Sequence, residues 1–175
     1  EVAWAEMADI QNYAEGVIKH FIKKVLETNK EELKILERDI SKLEPSLKKP
    51  FAKITYDEAV KLLHDRFKMK FDWGDDLRTI EEEKIVSLYD TPVIVSKYPK
   101  KVKAFYMKED KLNPDVVLGF DVLAPEGYGE IVGGSQREEN IEEIKRRLIE
   151  QGEDPAQYTF YLDTRRYGSV PHGGF

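Results

Sequence analysis

Apolar residues recur at helical spacing at both ends of the chain. Between Ala8 and Asn29 they alternate at steps of three and one positions, which draws a single apolar stripe along a helix. The more charged stretch from Lys30 to Leu43 keeps a helical period and is predicted to continue as helix. A similar pattern predicts a helix over Glu139 to Gln151, and Asp154-Pro155 is typical of the start of a shorter one.

Two capping signals predict helices in the middle of the chain. Thr55 and Glu58 have the spacing of a capping box, and the helix they open is expected to end near Phe67. Thr79 and Glu82 have the same spacing and predict a second helix. The stretch between the two prolines at positions 45 and 50 is interpreted as a short linker within one domain.

The pattern changes to short apolar runs after position 92. Strands are predicted at Val93 to Val95, Ala104 to Met107, Val116 to Leu123 and Glu130 to Gly133, with a hairpin turn at Asn113-Pro114. Helices followed by strands and then helices indicate an α+β domain with one main antiparallel sheet.

Composition narrows the class of protein. The chain has 175 residues, 41% of them hydrophobic, which suits one domain or a large part of one. The net charge of -6 argues against a broad basic face for nucleic acid. The absence of cysteine excludes disulfides and cysteine-ligated zinc. No apolar run approaches the roughly 20 residues of a membrane helix. The lack of cysteine fits a cytoplasmic protein, which is the localisation expected.

Two carboxylates are the first candidates for chemistry. Asp121 lies inside an apolar predicted strand, where an unpaired charge is costly, and Glu130 begins the next strand. If these strands are hairpin neighbours, the two side chains converge and can share Mg²⁺ with phosphate groups. The alternative is that each acid lies at the surface or in an ion pair.

A small-residue segment follows these acids. Gly133, Gly134 and Ser135 leave room for a ligand to approach the backbone, although a bulge or turn explains them as well. Arg137 has the forked donors that suit a carbonyl or carboxylate, and a surface ion pair with Glu138 or its neighbour is the alternative.

Histidines give a weaker signal. His172 lies in a glycine-rich and proline-rich segment and could line a pocket, but a lone histidine is more often structural. His20 and His64 lie on predicted helices and are interpreted as structural. The sequence contains no nucleophile–histidine–acid arrangement and no phosphate-loop motif.

Several segments together resemble the asparaginyl branch of the class IIb aminoacyl-tRNA synthetases. The resemblance is strongest in four runs, Tyr98 to Met107, Phe120 to Glu126, Tyr128 to Glu138 and Tyr161 to Phe175, and Glu1-Val-Ala-Trp resembles the end of motif 2 of that family. It implies a class II synthetase-like antiparallel sheet flanked by helices. It also implies that the chain runs from the end of motif 2 to just before motif 3, without the N-terminal OB-fold domain that binds the anticodon.

The resemblance assigns roles to the candidate residues. Asp121 and Glu130 would bind Mg²⁺ and the phosphates of ATP, the segment 133–135 would line the amino-acid pocket, and Arg137 would bind the side-chain carbonyl of asparagine. His172 belongs to the same predicted substrate site. The implied activity is ATP-dependent activation of asparagine and its transfer to tRNA(Asn) by a homodimer, of which this chain alone would be an inactive part.

The choice of amino acid rests on Glu138. Aspartyl enzymes of the family usually carry Arg-Ile-His where this chain has Arg137-Glu138-Glu139. An acidic neighbour of the arginine would repel aspartate and favour the amide, so Glu138 is hypothesised to discriminate between them. Three alternatives stay open: an inactive synthetase paralogue, a related asparagine synthetase, and an aspartyl or dual-specificity enzyme.

Overall fold

The structure is a computed structural model that describes residues 1–175, with seven α-helices and eight β-strands. The helices are α1 (Met7–Thr28), α2 (Lys30–Ile35), α3 (Glu44–Lys48), α4 (Tyr56–Phe67), α5 (Thr79–Val86), α6 (Ile141–Glu150) and α7 (Thr159–Arg166). The strands are β1 (Val2–Ala3), β2 (Ala52–Thr55), β3 (Val93–Ser96), β4 (Glu109–Asp110), β5 (Asn113–Val117), β6 (Gly119–Ala124), β7 (Gly129–Gln136) and β8 (His172–Gly174). None of the helices is both long and apolar enough to span a membrane.

Six strands form one mixed sheet in the order β1-β8-β7-β6-β3-β2, and β4 and β5 form a separate hairpin. The α+β class with one main sheet flanked by helices is confirmed. The sheet is antiparallel except at one edge, where β2 and β3 pair in parallel. The chain leaves β2 through α4 and α5 before it enters β3, and such a helical crossover allows the next strand to run in the same direction.

Helices cover the two faces of the sheet. One core contains Leu63 of α4 and Ile85 of α5 packed with Leu123 of β6. The other contains Ile10 of α1 packed with Phe120 of β6. Because side chains alternate along a strand, Asp121 lies on the same face as Leu123, towards α4 and α5. The carboxylate is therefore held at the edge of a packed core.

The capping predictions have different outcomes. At α4 the Thr55 amide donates to Glu58 Oε2 at 2.7 Å, and the Glu58 amide donates to Thr55 Oγ1 at 3.2 Å, so this box is confirmed. The box predicted at Thr79 and Glu82 is wrong by one residue, because Glu81 accepts from the Arg78 amide at 3.0 Å. The displaced box leaves the Glu82 carboxylate free to face the sheet.

The predicted strand at Ala104 to Met107 is wrong. This segment follows a 3₁₀ turn at Lys100–Val102, and side chains at the C-terminal end of α6 donate to carbonyl groups of the turn and of the residue after it. Arg147 Nη2 donates to the Lys100 carbonyl at 2.8 Å, and Gln151 Nε2 donates to the Lys103 carbonyl at 2.8 Å. The backbone is therefore held by side chains where the apolar pattern had indicated strand pairing.

Other boundaries also differ from the pattern. The predicted strand from Val116 to Leu123 is divided at Leu118 into β5 and β6, and the hairpin turn lies at residues 111–112, before Asn113-Pro114. Helix α2 ends at Ile35, and the chain resumes as a 3₁₀ turn at Ile40–Lys42. The proposed linker between positions 45 and 50 contains most of α3.

Candidate active site

Asp121 and Glu130 lie on the same face of the β6–β7 hairpin. Asp121 pairs with Gly133 across the hairpin, and an irregularity after Val122 brings Glu130 opposite Leu123. A Cβ atom built on Gly133 would lie 2.7 Å from Glu130 Oε1 and 3.7 Å from Asp121 Oδ1. The two carboxylates therefore converge on the space that the missing Gly133 side chain leaves open.

One cation reaches this pair of acids. Lys103 Nζ lies 2.5 Å from Asp121 Oδ2, and both side chains are almost entirely buried, with 13% and 6% of their surface exposed. The same ammonium lies 4.0 Å from the centroid of the Tyr98 ring, at the distance of a cation–π contact. Asp121 thus has the ion pair that the sequence left open as its alternative role.

Negative charge exceeds positive charge around the pair. Burial, followed by the charge of Asp121, raises the pKa of Glu130. Burial, followed by the charge of Glu130, also raises the pKa of Glu82 on α5. The buried Tyr98 hydroxyl has no hydrogen-bond partner, and burial followed by the charge of Asp121 raises the pKa of this phenol well above its usual value. These groups form a site that favours a bound cation.

The protein supplies few metal ligands of its own. No three histidine, aspartate or glutamate side chains are arranged to hold a metal ion together. Asp121 and Glu130 would offer two oxygen ligands, which suits Mg²⁺ that takes its other ligands from water and phosphate. The space over Gly133 and the excess of negative charge both fit such an ion.

Arg137 lies just beyond the end of β7 and is held in place by its backbone. Its amide donates to the His172 carbonyl at 2.9 Å, which ties it to β8. The guanidinium donates from Nη1 to Ser135 Oγ at 2.5 Å and from Nε to Glu1 Oε1 at 3.0 Å. It also lies 4.8 Å from the centroid of the Tyr106 ring. Its ion-pair partner is therefore Glu1, and the expected alternative with Glu138 or Glu139 is wrong.

Glu1 is a site residue that the sequence analysis did not identify. A Cβ atom built on Gly174 would lie 2.7 Å from a Glu1 carboxylate oxygen, so the acid covers this glycine on β8. Glu1 and His172 also line one cleft of about 550 Å³. Pairing of β1 with β8 creates this arrangement, and both strands are too short to leave a periodic signal.

Two of the remaining candidates, Gly134 and Glu138, face away from this group. A Cβ atom on Gly134 would lie 2.5 Å from Phe120 Cζ, so Gly134 faces the opposite core. The Glu138 carboxylate accepts from the Asn140 amide at 2.9 Å, at the start of α6. His172 Nδ1 lies 2.8 Å from the Val170 carbonyl. One face of the hairpin and its extension carries Asp121, Glu130, Gly133, Ser135 and Arg137, whereas Gly134 and the Glu138 side chain face elsewhere.

Comparison with known proteins identifies the family. The model of the class II tRNA synthetases (D, K and N) matches residues 1–175. The chain belongs to this family. It is 45% identical over all its residues to an asparagine–tRNA ligase of Pyrococcus abyssi, and 47% identical to one of Koribacter versatilis. The crystal structure of asparaginyl-tRNA synthetase from Pyrococcus horikoshii complexed with asparaginyl-adenylate superposes with a TM-score of 0.93, at 44% identity.

These similarities concern part of each relative. The chain is covered completely in both sequence comparisons but spans 40% of the length of each ligase. It is covered to 98% in the comparison with the Pyrococcus horikoshii structure and spans 39% of that chain. The shared region contains the β6–β7 hairpin and therefore the carboxylates and Arg137.

Proposed function

We propose that this chain forms the amino-acid and metal-binding part of an enzyme that activates asparagine with ATP and transfers it to tRNA(Asn). The names of the relatives support this reaction, and so does an adenylate complex of one of them. The intact protein would be the catalyst, and its homodimeric assembly and its binding of tRNA remain predictions.

The ion pair of Arg137 with Glu1 is the observation that favours asparagine over aspartate as the substrate. A carboxamide presents one acceptor oxygen and one donor nitrogen. Arg137 would donate to the oxygen, and the Glu1 carboxylate beside it could accept from the nitrogen. The same carboxylate would repel the side chain of aspartate, which is discrimination by repulsion. The role given to Glu138 remains a prediction, and its contact at the start of α6 gives it no support.

Asp121 and Glu130 would hold Mg²⁺, with the Gly133 gap as the space for it. When bound, this ion would neutralise charge on the phosphates of ATP. Arg137 would fix the asparagine side chain so that the substrate carboxylate is directed at the α-phosphorus. The carboxylate would form a bond to phosphorus as pyrophosphate leaves. A hydroxyl at the tRNA 3′ end would then attack the carbonyl of the adenylate and take the asparaginyl group as AMP leaves. Positioning and charge neutralisation suffice for this reaction without a conventional base and nucleophile.

Amino-acid-dependent ATP–pyrophosphate exchange by the intact protein tests the proposal. We expect exchange with asparagine and little with aspartate. Arg137→Leu should lower the asparagine-dependent rate by about 10³-fold or more, because a polar group of the substrate loses its partner. Arg146→Leu is the matched control, since it removes a guanidinium whose ion pairs, with Glu109, Glu143 and Glu150, do not involve the proposed site residues.

The assay also separates the alternatives. Exchange with aspartate at a comparable rate would establish an aspartyl or dual-specificity enzyme. No exchange with either amino acid would contradict the proposal and favour an inactive paralogue. ATP-dependent formation of asparagine from aspartate and an ammonia donor would instead identify an asparagine synthetase.

A further inference from the structure

Lys103 is the ion-pair partner at the centre of the acidic site. Of the three acids grouped there, Glu82, Asp121 and Glu130, only Asp121 takes part in an ion pair, and its partner is Lys103. The ammonium contacts Oδ2 of Asp121, while Oδ1 faces the gap over Gly133. One carboxylate thus serves both the lysine and the space assigned to a cation.

The backbone of Lys103 is held by two hydrogen bonds to its carbonyl, whereas its ammonium makes a single hydrogen bond. The Lys103 carbonyl accepts from Gln151 Nε2 at 2.8 Å and from Arg147 Nη2 at 3.3 Å, so α6 holds this position firmly. The side chain then extends along Tyr98 to its ammonium, which makes one hydrogen bond, to Asp121, although it has three protons to donate. A lysine is a compact charge on a flexible stem, so its end can move while its base stays in place.

The net charge around Lys103 differs between the site with a divalent cation and the site without one. Asp121 and Glu130 carry two negative charges, and Lys103 leaves one of them uncompensated when no metal is present. For Lys103 and the two proposed metal ligands, with Glu82 left out of the sum, a divalent cation would change the balance from one net negative to one net positive charge. The cation would take over the carboxylate, and the ammonium would then be free to face another anion.

We propose that Lys103 is an exchangeable counter-ion of the metal site. It holds the Asp121 carboxylate while the site lacks a divalent cation, and it donates to the phosphates of the nucleotide once the cation is bound. This inference rests on the proposed function. It makes Lys103 a competitor of the free cation and a contributor to nucleotide binding, whereas a purely structural ion pair would have neither effect.

The test is binding of Mn²⁺, as a probe for Mg²⁺, to the intact protein without nucleotide, followed by electron paramagnetic resonance. Lys103→Met keeps the length of the side chain and removes its charge, so we expect Mn²⁺ to bind about tenfold more tightly. The same variant should bind ATP in the presence of Mg²⁺ about tenfold more weakly, by equilibrium dialysis. Lys103→Arg keeps the charge and should stay close to the wild type in both measurements.

Lys108→Met is the matched control. Lys108 is as buried as Lys103, at 13% exposed, and pairs with Glu139 away from the acidic site. We expect it to leave both affinities unchanged. If Lys103→Met does not fold, Lys103→Gln removes the same charge and answers the same question.

The outcomes separate this inference from the function on which it rests. Unchanged or weaker Mn²⁺ binding by the neutral variants overturns the exchange, even if asparagine-dependent ATP–pyrophosphate exchange is normal. Asp121→Asn should bind Mn²⁺ poorly. If it binds like the wild type, the cation lies elsewhere, and the proposed metal site fails together with the role of Lys103.

Discussion

The turn of the β6–β7 hairpin and the strand that follows it hold acidic residues in opposite electrostatic surroundings. At the turn, Glu126 accepts hydrogen bonds from Nη1 and Nη2 of Arg38 at 2.9 and 2.5 Å, and Lys42 lies 3.2 Å away. These partners lower the pKa of Glu126 to about 2, with the Arg38 hydrogen bond as the largest cause. Along the strands, Glu130 has no ion-pair partner, and burial followed by the charge of Asp121 raises its pKa.

This difference separates a structural acid from a candidate functional one. Glu126 has its charge balanced by the segment that follows α1, so its contacts attach that segment to the hairpin. Glu130 keeps unfavourable electrostatic energy that the folded protein does not relieve by itself. A bound cation would relieve it, and carboxylates whose pKa is shifted by burial and a neighbouring charge are candidates for functional sites.

The largest expected difference comes from removing one charge in the turn and one in β7. Glu130→Gln in the intact protein should lower asparagine-dependent ATP–pyrophosphate exchange by about 10²-fold or more, because the ion that would neutralise charge in the transition state loses a ligand. Glu126→Gln should leave the rate within about twofold, because surface pairs contribute little. Equal losses in the two variants would show that the two acids do not differ in function.

A second test uses the adjacent glycines of β7. Gly133→Ala places a methyl group 2.7 Å from Glu130 Oε1, so Mn²⁺ affinity should fall about tenfold while the fold is retained. Gly134→Ala places one 2.5 Å from Phe120 Cζ and should instead destabilise the protein by about 1–3 kcal/mol, as overpacked cores do. Mn²⁺ titration and thermal unfolding measure the two effects separately. If both variants unfold and therefore lose Mn²⁺ binding, the two glycines do not differ in the way proposed.

The smallest expected effect is the pH dependence of stability at the turn. The pKa of Glu126 is lowered from 4.5 to about 2, so its contribution to stability is present above pH 4.5 and is lost as the pH falls towards 2. Because Glu126 lies at the surface, this contribution is at most about 1 kcal/mol. Denaturant unfolding of Glu126→Gln should therefore vary less between pH 4.5 and 2 than that of the wild type. A parallel dependence in both proteins would show that the Arg38 pair adds nothing.

The sequence was most informative where one element determines its own geometry. The period of α1 and the Thr55–Glu58 box of α4 are local signals, and both helices form as predicted. Strand pairing depends on distant segments, so the parallel β2–β3 pair and the two short outer strands left no readable pattern. The strand predicted at Ala104 to Met107 is wrong for the same reason. Arg147 and Gln151, which lie far along the chain, donate to the backbone carbonyl groups just before it.

The residues of the candidate site also differ in how far apart they lie along the chain. Asp121, Glu130 and Gly133 could be found because β6 and β7 are consecutive strands of one hairpin. Glu1, Glu82 and Lys103 reach the site from three other segments, and only the folded chain brings them there. Their residue types, two acids and a lysine, are too common in this sequence to stand out by themselves.

The most direct test is a crystal structure of the intact protein with Mg²⁺ and a non-hydrolysable analogue of asparaginyl-adenylate. We predict that the side-chain carbonyl accepts from Arg137, that the amide nitrogen lies within hydrogen-bond distance of Glu1, and that Mg²⁺ binds Asp121 and Glu130. An analogue whose side chain lies away from Arg137, or a metal ion held by neither carboxylate, would contradict this assignment of the site.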